Sequence, residues 1–497
     1  MKLRKISDVG LKVITGLILA IALILTFTIS DYYIFNRIGE FNFFFVFSQW
    51  MKKAGLLLLP LAVFYNKKSC SDIFKYVLPV FVILSCCTFG KFFDVSAEAN
   101  AETPSELLFA HMNGFMPKAA NMTLFFISNV LYLAACVLLF LRDGYKVKAK
   151  SFIWLPFAIF ACMPLNIFEN FFNIDNIKQT SFWRFRNFTV WHFLMIAILV
   201  GFTVGAYYFL RKKDKKTQED FLVAAAIVML IQYHSKDSMV IGDGYNVYHS
   251  VFACIPLFIC NIGVYVAALS VIFKKKLLYA ISFFVHAAGA VSVFVYFGKD
   301  EMSNYGIICS YSILYFCLTH ILLFALSVMP TALGHYKFKF KDCIIPLAYY
   351  FAVIVVATIS SALVTSYLTD YTYGGYILGK VAEEQQLLPN YAFTQINPFP
   401  FEVNIWGVTI WKYEVKLLYV LGLYAAYVAI FFAFNGAYFA FLAVRKKVLV
   451  ALQRKRTLAG VSAEGPLEEA AIAEEEPSEE APEAPEPQEE KEKELTE

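Results

Sequence analysis

Charge is scarce in this chain. Only 16% of its 497 residues are Asp, Glu, Lys or Arg, against 59% hydrophobic ones, whereas a soluble domain carries roughly a quarter of its residues as charges. With a mean hydropathy of +0.58, that shortage excludes a soluble globular protein and leaves a polytopic membrane protein. No phosphate-cradling glycine loop, dinucleotide fingerprint, His-Glu-x-x-His zinc helix or Gly-x-Ser-x-Gly elbow is present, so no cofactor is expected. Nor does any cysteine fall in the long polar connections 94–121, 170–187, 235–250 or 369–413, which argues against a disulfide framework. His234, Asp237, Asp243 and His249 lack tight ligand spacing, so no metal is expected. No nucleic-acid partner is expected either.

What the chain has in quantity is apolar runs. Runs near the ~20-residue spanning length fall at about 11–29, 44–65, 73–93, 122–141, 151–169, 188–211, 219–234, 252–273, 277–297, 305–329, 343–368 and 414–443. The expectation is an all-α polytopic membrane protein of about twelve transmembrane helices. The first run follows Met1-Lys-Leu-Arg-Lys and has no small-x-small cleavage signature, so it reads as an uncleaved helix. Trp183, Trp191, Trp406 and Trp411 suit the membrane interfaces.

The charges that remain are sorted. Of the 39 acidic residues, 15 lie between Glu464 and Glu497, leaving a strong basic excess elsewhere. With the N-terminus inside, Lys67-Lys68, Arg142 to Lys150, Arg211 to Lys216, Lys274 to Lys276, Tyr336 to Lys341 and Arg445 to Lys447 all fall on the cytoplasmic side; Arg184 and Arg186 are the exceptions. The expected location is a bacterial plasma membrane with both termini cytoplasmic. The Glu, Ala and Pro-rich tail is expected to be disordered and solvated, with any protein partner unknown.

A weak internal repeat is visible. Ala54-Gly-Leu-Leu-Leu-Leu-Pro to Lys68 resembles Ile262-Gly-Val-Tyr-Val-Ala-Ala to Lys276, and Gly144-Tyr-Lys-Val-Lys resembles His335-Tyr-Lys-Phe-Lys. Two six-helix units in parallel orientation would follow, dividing the chain as 1–212, 213–447 and a tail, 448–497. Lys52 would then match Cys260, and Asn129 would match His320. Read alone, Lys52 and Lys53 are expected to snorkel toward the outer interface.

The stretch Ile255 to Lys341 carries Cys260, His286 and His320 inside apolar runs. Ionisable side chains at membrane depth are functional candidates, although a cysteine is as readily a small apolar residue and a histidine can simply bond a neighbouring helix. A thiol attacks an ester as thiolate and needs a base beside it. At ~1.5 Å per residue, Cys260 should lie roughly 12 Å below its outer helix end, His286 roughly 17 Å and His320 roughly 22 Å, which favours His286 slightly.

From His192 to Ala443 the sequence resembles the YwaF-like bacterial integral membrane proteins. Their distant eukaryotic relatives include a cysteine-dependent phospholipid acyltransferase and threonine-dependent hydrolases of fatty-acid esters. The resemblance rests on Pro256-Leu-Phe-Ile-Cys260-Asn261, Lys275-Lys-Leu-Leu-Tyr279 with Gly289, Leu318-Thr-His320-Ile321, and Asn390-Tyr-Ala-Phe393 with Pro398. The chain departs from it at Phe258, where the family has histidine, and at Gln232, where an acidic residue is expected. The resemblance implies Cys260 as nucleophile and His320 as general base, with membrane lipid as substrate for acyl transfer or ester hydrolysis. A secondary transporter using Lys52, His286 and His320, and a noncatalytic scaffold recruiting a partner through its tail, are the rival readings.

Overall fold

The computed structural model describes residues 2–28, 43–90, 118–165, 167–168, 181–242, 255–295, 308, 310–370, 372–373, 376–377, 391–394 and 406–458. They are mostly helical. In chain order the helices are α1 (Lys2–Thr28), α2 (Phe43–Val63), α3 (Lys68–Cys87), α4 (Lys118–Asp143), α5 (Leu155–Ala161, after a 3-10 stretch Ala149–Trp154), α6 (Val190–Leu210), α7 (Lys215–Gly242), α8 (Ile259–Phe273), α9 (Lys276–Val295), α10 (Tyr311–Ala332), α11 (Ile344–Asp370) and α12 (Leu417–Leu458). In an apolar solvent every backbone donor must be satisfied within the segment, which is why apolar runs of this length become helices.

Each expected run contains a helix, but eight of the described helices are long and apolar enough to cross a membrane: α1, α3, α4, α6, α9, α10, α11 and α12. The other four fall short for visible reasons. α5 and α8 are short, α2 carries Lys52 and Lys53 at its middle, and α7 is polar toward both ends.

Met1–Gly436 forms one compact unit and Ala437–Glu497 another. Within the first, α2 packs on α3, α3 on α4 and α4 on α1; likewise α8 packs on α9, α9 on α10 and α10 on α7. α7 also lies against α1 and α2, joining the two groups. α6, though sixth in the chain, packs on α10: Met195 and Leu199 share a buried cluster with Phe294, Ile313, Cys317 and Ile321. α12 continues past Val448 to Leu458, because Ala451-Leu-Gln-Arg-Lys-Arg are strong helix formers. The acidic tail beyond Leu458 lies outside the described residues.

The basic clusters converge. Lys67 pairs with Asp220, Lys274 with Glu219, Lys276 with Asp342 at 3.6 Å, and Arg142 reaches Asp8 at 3.9 Å. His335 Nε2–H donates to Gln218 Oε1 at 2.6 Å, and the Gln218 amide donates to the carbonyls of Leu210 and Lys213. One end of the compact unit is therefore a lattice of lysines and arginines holding a few carboxylates. Two short hairpins belong to α11's neighbourhood: β1 (Thr372–Tyr373) with β2 (Tyr376–Ile377), and β3 (Gly407–Ile410) with β4 (Tyr413–Lys416). Trp406 and Trp411, flanking β3, are exposed.

Candidate functional site

Cys260 lies at the start of a helix shorter than a membrane span. Pro256 biases Ile255 toward extended backbone, Phe258 caps α8 with φ −81° and ψ 143°, and the first helical bond runs from Ile262 N to Phe258 O at 2.9 Å. Cys260 is thus the second residue of α8, half-buried in its first turn. The depth expected from a helix spanning 252–273 does not hold, since the helix starts seven residues later. A helix N-terminus presents backbone N–H groups and a positive end, which favour a thiolate and a developing oxyanion.

His286 ends a π-turn, Ser282–His286, set into α9. Such turns carry one extra residue and often occur at functional sites. Asn435 supports this one: its Nδ2 donates to Phe284 O at 3.2 Å and to Phe431 O at 2.8 Å. The His286 ring is buried, lies 3.3 Å from the Tyr349 hydroxyl through Nε2, and reaches the backbone of Ile259 at the start of α8. It fits only because residue 263 is glycine; a Cβ there would sit 2.7 Å from Nδ1. Gly263 follows Cys260 by three residues, one turn along the same helix face.

His320 is buried at the middle of α10. Its Nδ1 bonds the Phe316 carbonyl at 2.7 Å, its ring packs on Phe316, and Nε2 has no partner among the described residues. A carbonyl only accepts, so the proton belongs on Nδ1 and Nε2 keeps its lone pair. His192 is the contrast, with Phe188 N donating to Nδ1 at 2.9 Å and Nε2–H donating to Phe294 O at 2.7 Å; that ring is fully engaged in structure.

Three contacts give the relative heights. His286 is level with Gly263, Gly289 lies against Ile259 with room for a Cβ 3.5 Å away, and His320 is beside Phe294. At ~1.5 Å per residue, the two histidines are roughly 12 Å apart along α9 with the Cys260 turn between them.

The mouth of α8 is closed by the 3-10 turn Tyr391–Phe393. Tyr391 packs on Phe258, its N–H donates to Ser361 Oγ at 3.1 Å, and Thr394 Oγ1 donates to the Tyr391 carbonyl at 2.8 Å. Ala392 holds the left-handed region at φ 49° to make the turn. Asn390 and Pro398 lie outside the described residues, as do Asp243 and His249.

Gln232 has a structural task. Its Nε2 donates to the carbonyls of Ala161 and Met163 at 2.9 and 3.1 Å, closing the end of α5; a carboxylate could not donate there. Among the described residues no group of three or more His, Cys, Asp or Glu side chains is placed to hold a metal. Sequence reasoning missed Tyr349, Ser361 and Asn435, which act through packing between distant helices. Gly263 carried a signal, as the glycine common to both copies of the repeat.

Comparison with curated proteins and with solved structures gives no match. A family model does match, over residues 187–425, and it describes the TMEM164 family. That finding corrects the resemblance drawn from the motifs: the matching family is a eukaryotic-named transmembrane family, rather than the YwaF-like bacterial one. The motifs misled because several sit where backbone geometry restricts the residue, at the proline ahead of α8 and the turn at Tyr391, and such positions do not separate families. The matched stretch begins just before α6, the helix that packs with the second half, and residues 187–425 of this integral membrane protein resemble the TMEM164 family.

Proposed function

We propose that the protein is a membrane enzyme that transfers or hydrolyses the acyl group of a lipid ester through Cys260. The observation that carries this reading is the position of Cys260 in the first turn of α8, with the buried His286 ring against Gly263 on the same helix and the buried His320 keeping Nε2 without a partner among the described residues. His320 takes the thiol proton on Nε2, its tautomer fixed by Phe316. The thiolate attacks the ester carbonyl, forming a C–S bond. The C–O bond then breaks and the departing alkoxide takes the proton from the imidazolium. A hydroxyl acceptor or water, deprotonated by the same imidazole, attacks the thioester; the C–S bond breaks and the thiolate returns.

His286 is the second candidate for the proton, supported by its contact with Gly263 one turn from Cys260. The convergence of the basic clusters at one end supports a topology with both termini in the cytoplasm.

The test uses membranes carrying wild type, Cys260→Ala, His320→Ala and His286→Ala, incubated with a phospholipid whose acyl chain ends in an alkyne. Wild type should acquire a hydroxylamine-sensitive label that Cys260→Ala lacks. The histidine variant in the proton path should label at least tenfold more slowly. Undiminished labelling of Cys260→Ala would remove the enzyme reading.

A further inference from the structure

The first half holds a buried cation that pairs with no carboxylate among the described residues. Lys52 lies nine residues into α2, roughly 14 Å from its start, and is 8% exposed. Its ammonium does not snorkel outward. It turns into the bundle, donates to Asn129 Oδ1 at 2.8 Å and sits 4.7 Å from the centre of the Phe125 ring. The Tyr132 hydroxyl holds the same turn of α2 by donating to the Lys52 carbonyl at 3.0 Å. Among the described residues no carboxylate pairs with Lys52.

Asn129 sharpens the point. The ammonium can only donate, so the Asn129 oxygen must face it and Nδ2 is left as a donor. That Nδ2 is buried, and what stands within its reach among the described residues is the Cys86 thiol, a weak acceptor. Two donors therefore stand side by side on α2 and α4, in a setting where an unmatched charge is costly. Cys86, toward the end of α3, is within electrostatic reach of the ammonium and adds no formal charge as a thiol.

The position is not arbitrary. Leu78 on α3 packs against Gly55 on α2, with a Cβ at Gly55 falling 3.0 Å from its methyl group, as His286 on α9 packs against Gly263 on α8. The spacing from Gly55 to Leu78 equals that from Gly263 to His286. In that register Lys52 matches Cys260.

We infer that Lys52 and Asn129 form an oxyanion site, built to take the two oxygens of a lipid carboxylate or phosphate between the ammonium and the Asn129 amide. This site stands independently of the acyl-transfer reading. Paired donors facing a two-oxygen acceptor give charge-assisted bonds, the strong class of hydrogen bond.

The test is the thermal stability of the full-length protein in detergent with added phosphatidylglycerol, oleate or phosphatidylcholine. Phosphatidylglycerol or oleate should raise the melting temperature of wild type and of Lys53→Met, and leave Lys52→Met and Asn129→Leu unmoved. The larger shift identifies phosphate or carboxylate as the preferred group. A shift from phosphatidylcholine equal to that from phosphatidylglycerol supports the phosphate as the recognised group, whereas no shift from either anionic probe, or a full shift in Lys52→Met, would overturn the site. Should Lys52→Met fail to survive extraction, reductive methylation of wild type read by mass spectrometry replaces it. The bound anion should protect Lys52 several-fold relative to Lys53, and equal labelling with and without it overturns the proposal.

Discussion

His286 and Gly263 touch so closely that no other amino acid fits at position 263: an added Cβ would stand 2.7 Å from Nδ1 and 2.9 Å from Cγ of the ring. The contact fixes a buried imidazole against the helix that begins with Cys260.

Gly263→Ala should therefore push the ring from its place, at a cost of about 1–3 kcal/mol, the usual range for overpacking. Labelling by the alkyne lipid should fall with it. The double variant Gly263→Ala/His286→Ala should label no more slowly than His286→Ala alone, since the clash disappears with the ring. Gly289→Ala is the control, its Cβ meeting Ile259 at an ordinary 3.5 Å.

Asn435→Leu should loosen the π-turn. It removes the donor from the Phe284 carbonyl, and leaving a buried acceptor unpaired costs about 1–3 kcal/mol. Thermal unfolding in detergent should register that loss, and the His286-dependent share of labelling should drop. Unchanged labelling and melting would separate Asn435 from the support of the turn.

Acid should weaken the basic end of the molecule through His335. Burial holds this imidazole below the ordinary histidine value, with Lys215 and Lys274 pushing the same way and Glu219 opposing them. Folding thus favours the neutral ring, which donates to Gln218. Its contribution is complete above the unfolded value of about 6.5 and is lost as pH falls through the depressed folded value. Melting curves at successive pH values below 7 should show this decline. His335→Gln, which keeps a donor and does not titrate in this range, should flatten it.

The periodic features were legible. Apolar runs located every helix, and the basic clusters foretold the end at which Lys67, Lys274 and Lys276 meet Asp220, Glu219 and Asp342. Lys52 and Asn129, which the proposed repeat sets opposite Cys260 and His320, are bonded to each other. What did not show was local backbone irregularity. The late start of α8 depends on how Pro256 and Phe258 divide the turn, and the π-turn depends on an asparagine about 150 residues away in sequence. Neither leaves a periodic trace. The snorkelling expected of Lys52 failed because a buried amide offered its ammonium an inward partner.

The additional residue in α9 also changes how that helix must be read. At 3.6 residues per turn, one surplus residue rotates everything beyond it by about 100° relative to a regular helix. A cysteine-accessibility scan should therefore follow one angular phase up to Ile281 and another from Ala287 onward. Deleting a single residue within Ser282–His286 should restore a regular helix and leave Phe294 beside His320, whereas deleting one between Ala287 and Val293 should turn Phe294 by about 100° away from it.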